Sequence, residues 1–598
     1  MVLTLKKLLG LLTPSERKRA GLLLGMTLVM ALLDMIGVAS IMPFMSVVMN
    51  AELVETNVAL KAAYTFSSNF GINTTEKFVF LLGIVFFVLL LGSLAFKALT
   101  TYALLRFTLF REYSMSKRLM EGYLHQPYSW FLNRHSADLG KTILSEVGTV
   151  VSKGLTPLFN ILAQGAVATS LLSLLILIDP KLALIVGLAL VTTYLLIFNA
   201  SRHLLSRMGT ERLIANQARF TAVSEAFGAS KEVKVGGLEQ VFINRFSAPA
   251  QTFARHQATA KVISQLPRFA LEAIAFGGIL LAVLYQISQS DTLFNTLPII
   301  TLYAFAGYRL IPALQQIYGS ITQLRFVGPA VDTLHAEMMS LKPVHYNLSQ
   351  DAMALKQAII LNQIQYCYPN APQPALNNFS LTIPAKSTVG LVGLTGSGKS
   401  TAVDLILGLL EAQKGMLEVD GQVISDHNKR AWQRGIGYVP QQIYLTDDTV
   451  ASNIAFGIQA KHIDQTALER AAKIANLHDF VTKELPQQYQ TTVGECGVRL
   501  SGGQRQRIGI ARALYHNPQV LIMDEATSAL DNLTEQAVME AVKNLGKEIT
   551  IILIAHRLST VRKCDQIYLV ERGEVIASGT YDELTENNTQ FKLMANHL

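Results

Sequence analysis

A glycine-rich segment that ends in lysine and serine has the clearest chemical meaning in this sequence. It reads Gly393-Leu-Thr-Gly-Ser-Gly-Lys-Ser400 and lies between an apolar, strand-like stretch (388–392) and an apolar, helix-like stretch (403–410). In this strand–loop–helix order, backbone N–H groups can surround phosphate oxygens at the N-terminus of a helix. Lys399 is then placed to reach the terminal phosphates, and the Ser400 hydroxyl to ligate Mg²⁺. The segment predicts a site for a nucleotide phosphate chain.

A second apolar stretch, 520–523, ends in two carboxylates, Asp524 and Glu525. Beside a phosphate loop, Asp524 is suited to bind Mg²⁺, and Glu525 to polarise the attacking water as a general base. The alternative interpretation is an edge strand that merely ends in acidic residues, and the presence of the preceding phosphate loop argues against this interpretation. The two stretches together predict hydrolysis of ATP with Mg²⁺.

A third motif, Leu500-Ser-Gly-Gly-Gln504, opens a stretch of helical composition between the other two. With the three motifs in this order, the C-terminal part of the chain resembles the ATP-binding cassette (ABC) superfamily. A phosphate loop alone occurs in many folds, whereas the ordered set is specific. The resemblance implies a homodimer, because the Ser-Gly-Gly motif of one subunit caps the ATP that the other subunit holds.

The resemblance also implies a role for individual residues. Tyr368 would stack on adenine, His556 would contact the γ-phosphate, and Asp531 would belong to the dimer-contact loop. Glu495 would touch the cytoplasmic helix ends, and the adjacent Cys496 departs from the commoner arginine. The predicted catalytic residues are Glu525, His556 and Gln441; the predicted ATP contacts are Tyr368, Gly393, Thr395, Gly396, Ser397, Gly398, Lys399, Ser400, Thr401, Ser501, Gly502, Gly503, Gln504 and Asp531; the predicted Mg²⁺ ligands are Ser400, Gln441 and Asp524.

Composition places the rest of the chain in a membrane. Half of the 598 residues are hydrophobic and 16% are charged, against roughly 25% charged in soluble domains. A helix needs about 20 apolar residues to cross a bilayer, and no cleavable signal peptide is evident. The three cysteines form neither a disulfide framework nor a metal-ligand pattern, and are predicted to be reduced. The six predicted spans are 20–49, 78–96, 160–178, 182–201, 273–290 and 292–308.

The basic residues indicate the orientation of these spans. They concentrate before the first span and in the long loops after spans two and four, whereas the other loops have few. Lysine and arginine are retained on the cytoplasmic side, so both termini are predicted to be cytoplasmic. The net charge of +8 is therefore attributed to membrane topology, and nucleic acid is not a predicted partner.

The predicted fold class is an α-helical membrane domain with six spans, of the type IV, exporter-like kind, followed by an α/β P-loop NTPase cassette. The predicted boundaries are 1–340 for the membrane domain, 341–356 for a linker and 357–598 for the cassette. This domain order resembles exporters and flippases. Closure of the cassettes is predicted to move inner-loop segments near 128–131 and 227–230. The outer loop 50–77 is compatible with either a short amphipathic helix or an ordinary polar loop.

Three cations in or near the spans, Lys97, Arg268 and Arg309, are the predicted substrate contacts, because charge is expensive in a membrane and usually functional there. The alternatives are that Arg268 pairs with Glu272 and that Lys97 reaches the surface. Asp34 is hypothesised to be a partner for one of these cations.

The membrane domain also resembles bacterial flippases of lipid-linked oligosaccharides, in the segments 40–44, 266–272 and 308–312. That resemblance implies transfer of a polyprenyl-pyrophosphate-linked glycan from the inner to the outer leaflet of the bacterial inner membrane. A lipid A or phospholipid flippase and a multidrug or peptide exporter are alternatives. A cassette that regulates or forms a channel is an alternative of another class, against which the intact Glu525 and His556 argue.

Overall fold

The computed structural model describes residues 2–49, 51, 53–69, 72, 74–178, 180–288, 293–341, 351–369, 371–525, 532–545, 548–555 and 558–596. The chain forms two compact units. The first comprises Met1–Gln126 and Asn133–Val344, and the second comprises Pro127–Leu132 and His345–Leu598. Much of the predicted linker, 342–350, lies outside the described residues.

The first unit is helical throughout its described length, apart from short turns. Its α-helices are α1 (Val2–Leu11), α2 (Pro14–Ala39), α3 (Ile41–Met49), α4 (Leu53–Thr56), α5 (Val58–Ser68), α6 (Thr75–Leu124), α8 (Ser136–Lys141), α9 (Val147–Val150), α10 (Thr156–Ile178), α11 (Pro180–Gly228), α12 (Ser230–Gly236), α13 (Glu239–Ser288) and α14 (Leu293–Ser340), and α7 (Tyr128–Phe131) belongs to the second unit. Two π-helical turns, Thr142–Glu146 and Val151–Leu155, flank α9.

Three helical segments among the described residues are long and apolar enough to cross a membrane, namely Pro14–Met49, Thr75–Leu124 and Ser136–Ile178. They contain the first three predicted spans. The other predicted spans fall on α11, α13 and α14, so their membrane crossing stays a prediction. Residue 179, between the third and fourth predicted spans, and residues 289–292, around the junction of the last two predicted spans, lie outside the described part.

The helices that carry spans also extend beyond them. Helix α6 has 50 residues, which correspond to about 75 Å at 1.5 Å per residue. A bilayer core is about 30 Å thick. The helix therefore continues without interruption well beyond the second predicted span, 78–96.

The first predicted span, 20–49, is two helices rather than one. Helix α2 ends at Ala39, Ser40 forms the C-cap, and α3 starts at Ile41. Pro43 explains the break, because its ring clashes with the carbonyl four residues earlier and it lacks an N–H donor. At the other end, Thr13 and Glu16 form a reciprocal capping box that starts α2.

The segment 50–77, which was predicted to be an outer loop, contains a short helix, α5, so the helix is the one of the two predicted options that the structure shows. The Asn57 carboxamide oxygen accepts hydrogen bonds from the N–H groups of Ala59 and Leu60 and so caps its start. Tyr64 packs edge-to-face against Phe78 with ring centroids 5.2 Å apart. The helix is thus packed against the first turn of α6.

The second unit combines two β-sheets with helices around them. Its strands are β1 (Ala358–Tyr366), β2 (Leu376–Pro384), β3 (Thr388–Val392), β4 (Lys414–Val419), β5 (Gln422–Val423), β6 (Ile436–Val439), β7 (Val520–Asp524), β8 (Thr550–Ile554), β9 (Gln566–Glu571) and β10 (Glu574–Gly579). Its helices, after α7, are α15 (Lys399–Ile406), α16 (Lys429–Arg434), α17 (Val450–Ile454), α18 (Gln465–Ile474), α19 (His478–Lys483), α20 (Gly502–Leu514), α21 (Asn532–Leu545), α22 (Leu558–Val561), α23 (Tyr581–Asn587) and α24 (Thr589–Asn596), with 3₁₀ turns at Ala460–His462, Gln488–Gln490 and Glu495–Gly497.

The larger sheet has the order β10-β9-β3-β8-β7-β6. Its central strands are parallel and β9–β10 is antiparallel. Strands β7 and β8 are buried at every position, as expected of parallel strands covered on both faces. The smaller, antiparallel sheet has the order β2-β1-β4-β5. The carboxyl ends of parallel strands meet at one edge of a sheet, which brings the loop after β3 and the acids after β7 together.

Candidate functional site

The phosphate loop follows β3 directly and leads into α15. Gly398 has φ +106°, and a Cβ there would meet the carbonyl oxygen of Ala375 at 2.7 Å. A Cβ on Gly393 would collide with the carbonyl oxygen of Val570. Only glycine satisfies both requirements, so the two glycines are explained by backbone conformation and by close packing.

Lys399 is held by the loop that it follows. Its Nζ donates hydrogen bonds to the carbonyls of Gly393 at 2.8 Å and Leu394 at 2.9 Å. Burial lowers the pKa of Lys399, and the nearby Glu525 and Asp524 oppose that effect. The ammonium group therefore lies at the loop, and the Ser397 hydroxyl is buried there without a hydrogen-bond partner among the described residues. Both observations fit a loop built to surround phosphate.

A cavity of about 560 Å³ opens beside this loop. The Tyr368 hydroxyl lies 3.2 Å from Thr401 Oγ1 at its edge. Nine of the residues nominated from the sequence line it, together with Ala375, which sequence reasoning missed because alanine carries no chemical signal. The lining residues are Tyr368, Ala375, Thr395, Gly396, Gly398, Lys399, Ser400, Thr401, Gln441 and Glu525.

Polar side chains at the ends of β6 and β7 line the same edge of the sheet as the phosphate loop. Gln441, which follows β6, donates from Nε2 to Glu525 Oε2 at 2.8 Å. Glu525 has φ +48°, a left-handed conformation that costs a non-glycine residue on the order of 1–3 kcal/mol. Its N–H is held by the Ile554 carbonyl at 3.1 Å. Asp524 ends β7 and is 9% exposed, so both carboxylates lie at the edge that the loop occupies.

The Ser-Gly-Gly-Gln segment starts α20. Ser501 accepts a hydrogen bond from the Gln504 N–H at 3.2 Å and donates its own N–H to the Gln504 side chain at 2.8 Å. This reciprocal capping box fixes the start of the helix, where the positive end of its dipole lies. None of these residues lines the cavity described above. Two other nominated residues, Asp531 and His556, lie outside the described residues.

A half-buried carboxylate, Asp404, escaped the sequence reasoning. It lies on α15, and burial, followed by the charge of Asp524, raises its pKa to about 6. The only signal available beforehand was an acid inside an otherwise apolar stretch. Burial also raises the pKa of Tyr128, with Asp404 as the next cause. Tyr128 is on α7, within the inner-loop segment that was predicted to respond to the cassette.

The candidate substrate contacts in the first unit are all paired. Lys97 Nζ lies 3.4 Å from Asp34 Oδ2, and Arg309 Nη1 lies 3.4 Å from Asp34 Oδ1. Arg268 Nε lies 2.7 Å from Glu272 Oε1, one helical turn away, and its side chain is 55% exposed. The structure thus brings two of the three cations together on one carboxylate and leaves Arg268 in a local pair.

Comparison with known proteins agrees with this geometry. Residues 376–528 match the family described as ABC transporter. An "ATP-dependent lipid A-core flippase" of Haemophilus influenzae is 32% identical over 488 residues, covering 80% of this chain and 81% of that protein. A protein of the same description from Cupriavidus pinatubonensis is 32% identical and covers 79% of this chain and 80% of its own length. The chain belongs to the ABC transporter family.

A solved structure supports the same fold along the whole chain of this ABC transporter. It is described as a bacterial Atm1-family ABC exporter with ATP bound, with a TM-score of 0.78, 23% identity, and coverage of 97% of this chain and 98% of that one. The fold is therefore the exporter arrangement of a helical membrane domain and a P-loop cassette. The protein is an ATPase whose hydrolysis is coupled to translocation, and its cassette binds ATP.

Proposed function

We propose that this transporter is a flippase for a phosphate-bearing glycolipid of the lipid A type in the bacterial inner membrane. The observation that carries the proposal is the similarity to lipid A-core flippases over about four fifths of the chain. That similarity favours the lipid A alternative of the sequence reasoning over its main prediction. The partly buried cations Lys97 and Arg309 support an anionic cargo, because a drug carrier has little need of positive charge in a span.

The cassette would supply the driving force as half of a homodimer. Lys399 and the N–H groups of residues 395–401 would hold the phosphates, and Tyr368 would stack on adenine. Ser400, Gln441 and Asp524 would hold Mg²⁺, which would neutralise phosphate charge. Glu525 and His556 would act at the γ-phosphate, with the Gln441 hydrogen bond orienting the carboxylate. Ser501–Gln504 and Asp531 would complete the site of the partner subunit.

The test is a leaflet-accessibility assay with purified protein in liposomes that contain lipid A. ATP should move lipid A between leaflets, and Glu525→Gln should stop this and lower ATPase activity by roughly 10²–10⁴-fold, as expected for loss of a general base. Glu586→Gln, an exposed glutamate on α23 of the same unit, is the control and should behave as wild type. ATP hydrolysis without lipid A movement would refute the cargo while leaving the ATPase intact.

A second cargo is a polyprenyl-pyrophosphate-linked oligosaccharide, which the segments 40–44, 266–272 and 308–312 favour. Its pyrophosphate would present anionic oxygens to the same cations. The two cargoes are distinguished in parallel liposomes, one set with lipid A and the other with the polyprenyl-linked glycan. Movement of the glycan alone would favour this second function.

A further inference from the structure

The cluster of Asp34, Lys97 and Arg309 joins three helices of the membrane unit, α2, α6 and α14. The Asp34 side chain is 1% exposed, that of Arg309 is 12% exposed and that of Lys97 is 32% exposed. Two positive groups thus face one buried negative group, with a net charge of +1. Because unpaired charge is costly within a span, each member depends on the others.

The bonds within this cluster are long and incomplete. Both ion pairs measure 3.4 Å, whereas charge-assisted hydrogen bonds between such groups measure about 2.7–2.9 Å. Asp34 Oδ1 and Arg309 Nε are buried and have no hydrogen-bond partner among the described residues. The cations therefore retain donor capacity that Asp34 does not use.

Another buried cluster in the same unit shows what a closed ion pair looks like. Glu146 accepts from Arg212 Nη2 at 2.7 Å and from Asn216 Nδ2 at 2.6 Å. There the carboxylate receives two short bonds, although Lys153 and Arg219 also lie within electrostatic range of it and Arg212 Nε has no hydrogen-bond partner among the described residues. The two clusters therefore differ in bond length rather than in the number of nearby cations, and the longer contacts to Asp34 make it the weaker competitor for an incoming anion.

We propose that Asp34 is an internal counter-anion, which neutralises Lys97 and Arg309 between transport cycles and yields them to the phosphate group of the lipid. This inference rests on the proposed function. A phosphomonoester carries about −1.5 to −2 charges and three acceptor oxygens, and Arg309 can bind it through two parallel N–H groups. Because the incoming group must outcompete a carboxylate, lipids with weaker negative charge are rejected. Asp34 then pairs with the cations again when the lipid leaves.

The test measures lipid binding by the full-length protein in nanodiscs, using native mass spectrometry. The probe is phosphatidic acid, a phosphomonoester lipid, in a phosphatidylcholine background. Asp34→Asn removes the competing charge a few ångströms from the cations, so phosphatidic acid should bind on the order of tenfold more tightly. Asp34→Glu should bind like wild type. The control, Asp332→Asn, removes an exposed carboxylate that pairs with Lys7 at 2.7 Å and should change nothing.

A charge-matched pair of variants keeps the test decisive if Asp34→Asn does not fold. Lys97→Gln leaves Asp34 and Arg309 as a neutral pair and should bind phosphatidic acid most weakly. Asp34→Asn combined with Lys97→Gln restores the net charge of +1 and should recover the binding that Lys97→Gln loses. A purely structural Asp34 predicts no recovery, and unchanged or weaker binding by a folded Asp34→Asn would likewise overturn the proposal.

Two further arms separate the possible reasons for failure. Inorganic phosphate is titrated in phosphatidylcholine nanodiscs, and tighter phosphate binding by Asp34→Asn without tighter lipid binding would overturn the lipid assignment. The flipping assay on wild type reports the cargo independently. If lipid A does not move but Asp34→Asn still binds phosphatidic acid more tightly, the counter-anion stands and the proposed cargo fails.

Discussion

The buried ion pair between Glu146 and Arg212 yields the sharpest prediction about stability. Glu146 closes the first π-helical turn, and Arg212 reaches it from α11, with side chains 5% and 1% exposed, respectively. Arg212→Met keeps much of the side-chain length but removes the cation that is hydrogen-bonded to the buried Glu146 carboxylate, leaving Lys153 and Arg219 as its nearby positive charges. Asn216 still donates to it at 2.6 Å.

The loss in the free energy of unfolding can be estimated from the burial of the pair and from the bond that remains. Removing one partner of a buried pair costs about 3–5 kcal/mol, and the remaining Asn216 bond favours the lower end. At roughly 2–4 °C per kcal/mol for large domains, a loss near 3 kcal/mol should lower the apparent midpoint of thermal unfolding by about 6–12 °C. Glu146→Gln combined with Arg212→Met removes both charges, so it should recover part of that loss.

The assay is thermal unfolding of the detergent-purified full chain, followed by the loss of its monodisperse size-exclusion peak. Arg207→Met is the matched control on the same helix, because Arg207 pairs with Glu211 at 2.7 Å with a side chain 79% exposed. An exposed pair contributes about 0.5 kcal/mol, so the control should shift by little. If Arg212→Met shifts no more than Arg207→Met, the buried pair does not stabilise the unit as argued.

Three further predictions concern the cassette. Burial, assisted by the charge of Asp565, raises the pKa of the Cys564 thiol to about 12. Near pH 8 this thiol stays protonated, so it should resist iodoacetamide until the protein is denatured. The exposed Cys496 should be alkylated first, and intact mass spectrometry measures both reactions. Gly398→Ala should abolish binding of a fluorescent ATP analogue, because the new Cβ meets a carbonyl, whereas Gly421→Ala, at a similar positive φ but with open space around it, should cost only stability. Ser501→Ala should lower the free energy of unfolding by about 1 kcal/mol through loss of the helix cap. It should lower ATPase activity by more than the loss of folded protein accounts for. ATPase activity that falls only in proportion to the folded fraction would contradict the role of Ser501 at ATP.

The chemistry of the cassette could be predicted from the sequence because it depends on local order. A glycine-rich loop between a strand and a helix holds phosphate whatever surrounds it, and the residues after a parallel strand lie at a known edge of the sheet. The sequence thus predicted individual site residues, and four of them line one cavity: Tyr368, Lys399, Gln441 and Glu525. Asp404 was missed, because its altered pKa comes from burial and from Asp524, which is distant in the chain.

The membrane unit shows where local reasoning ends. Pro43 predicts a break in the first span by a local steric rule, and that break was overlooked. Asp34 was hypothesised from the sequence to pair with one of the cations, but its pairing with both Lys97 and Arg309 follows no local rule, because it joins three helices that only tertiary packing brings together. The sequence by itself thus determined the class of the protein and the chemistry of ATP, since motifs and hydrophobic length are local properties. Tertiary structure alone decided which buried charges meet. The reason is that an apolar membrane helix has no sequence pattern that shows which of its faces packs against a neighbouring helix.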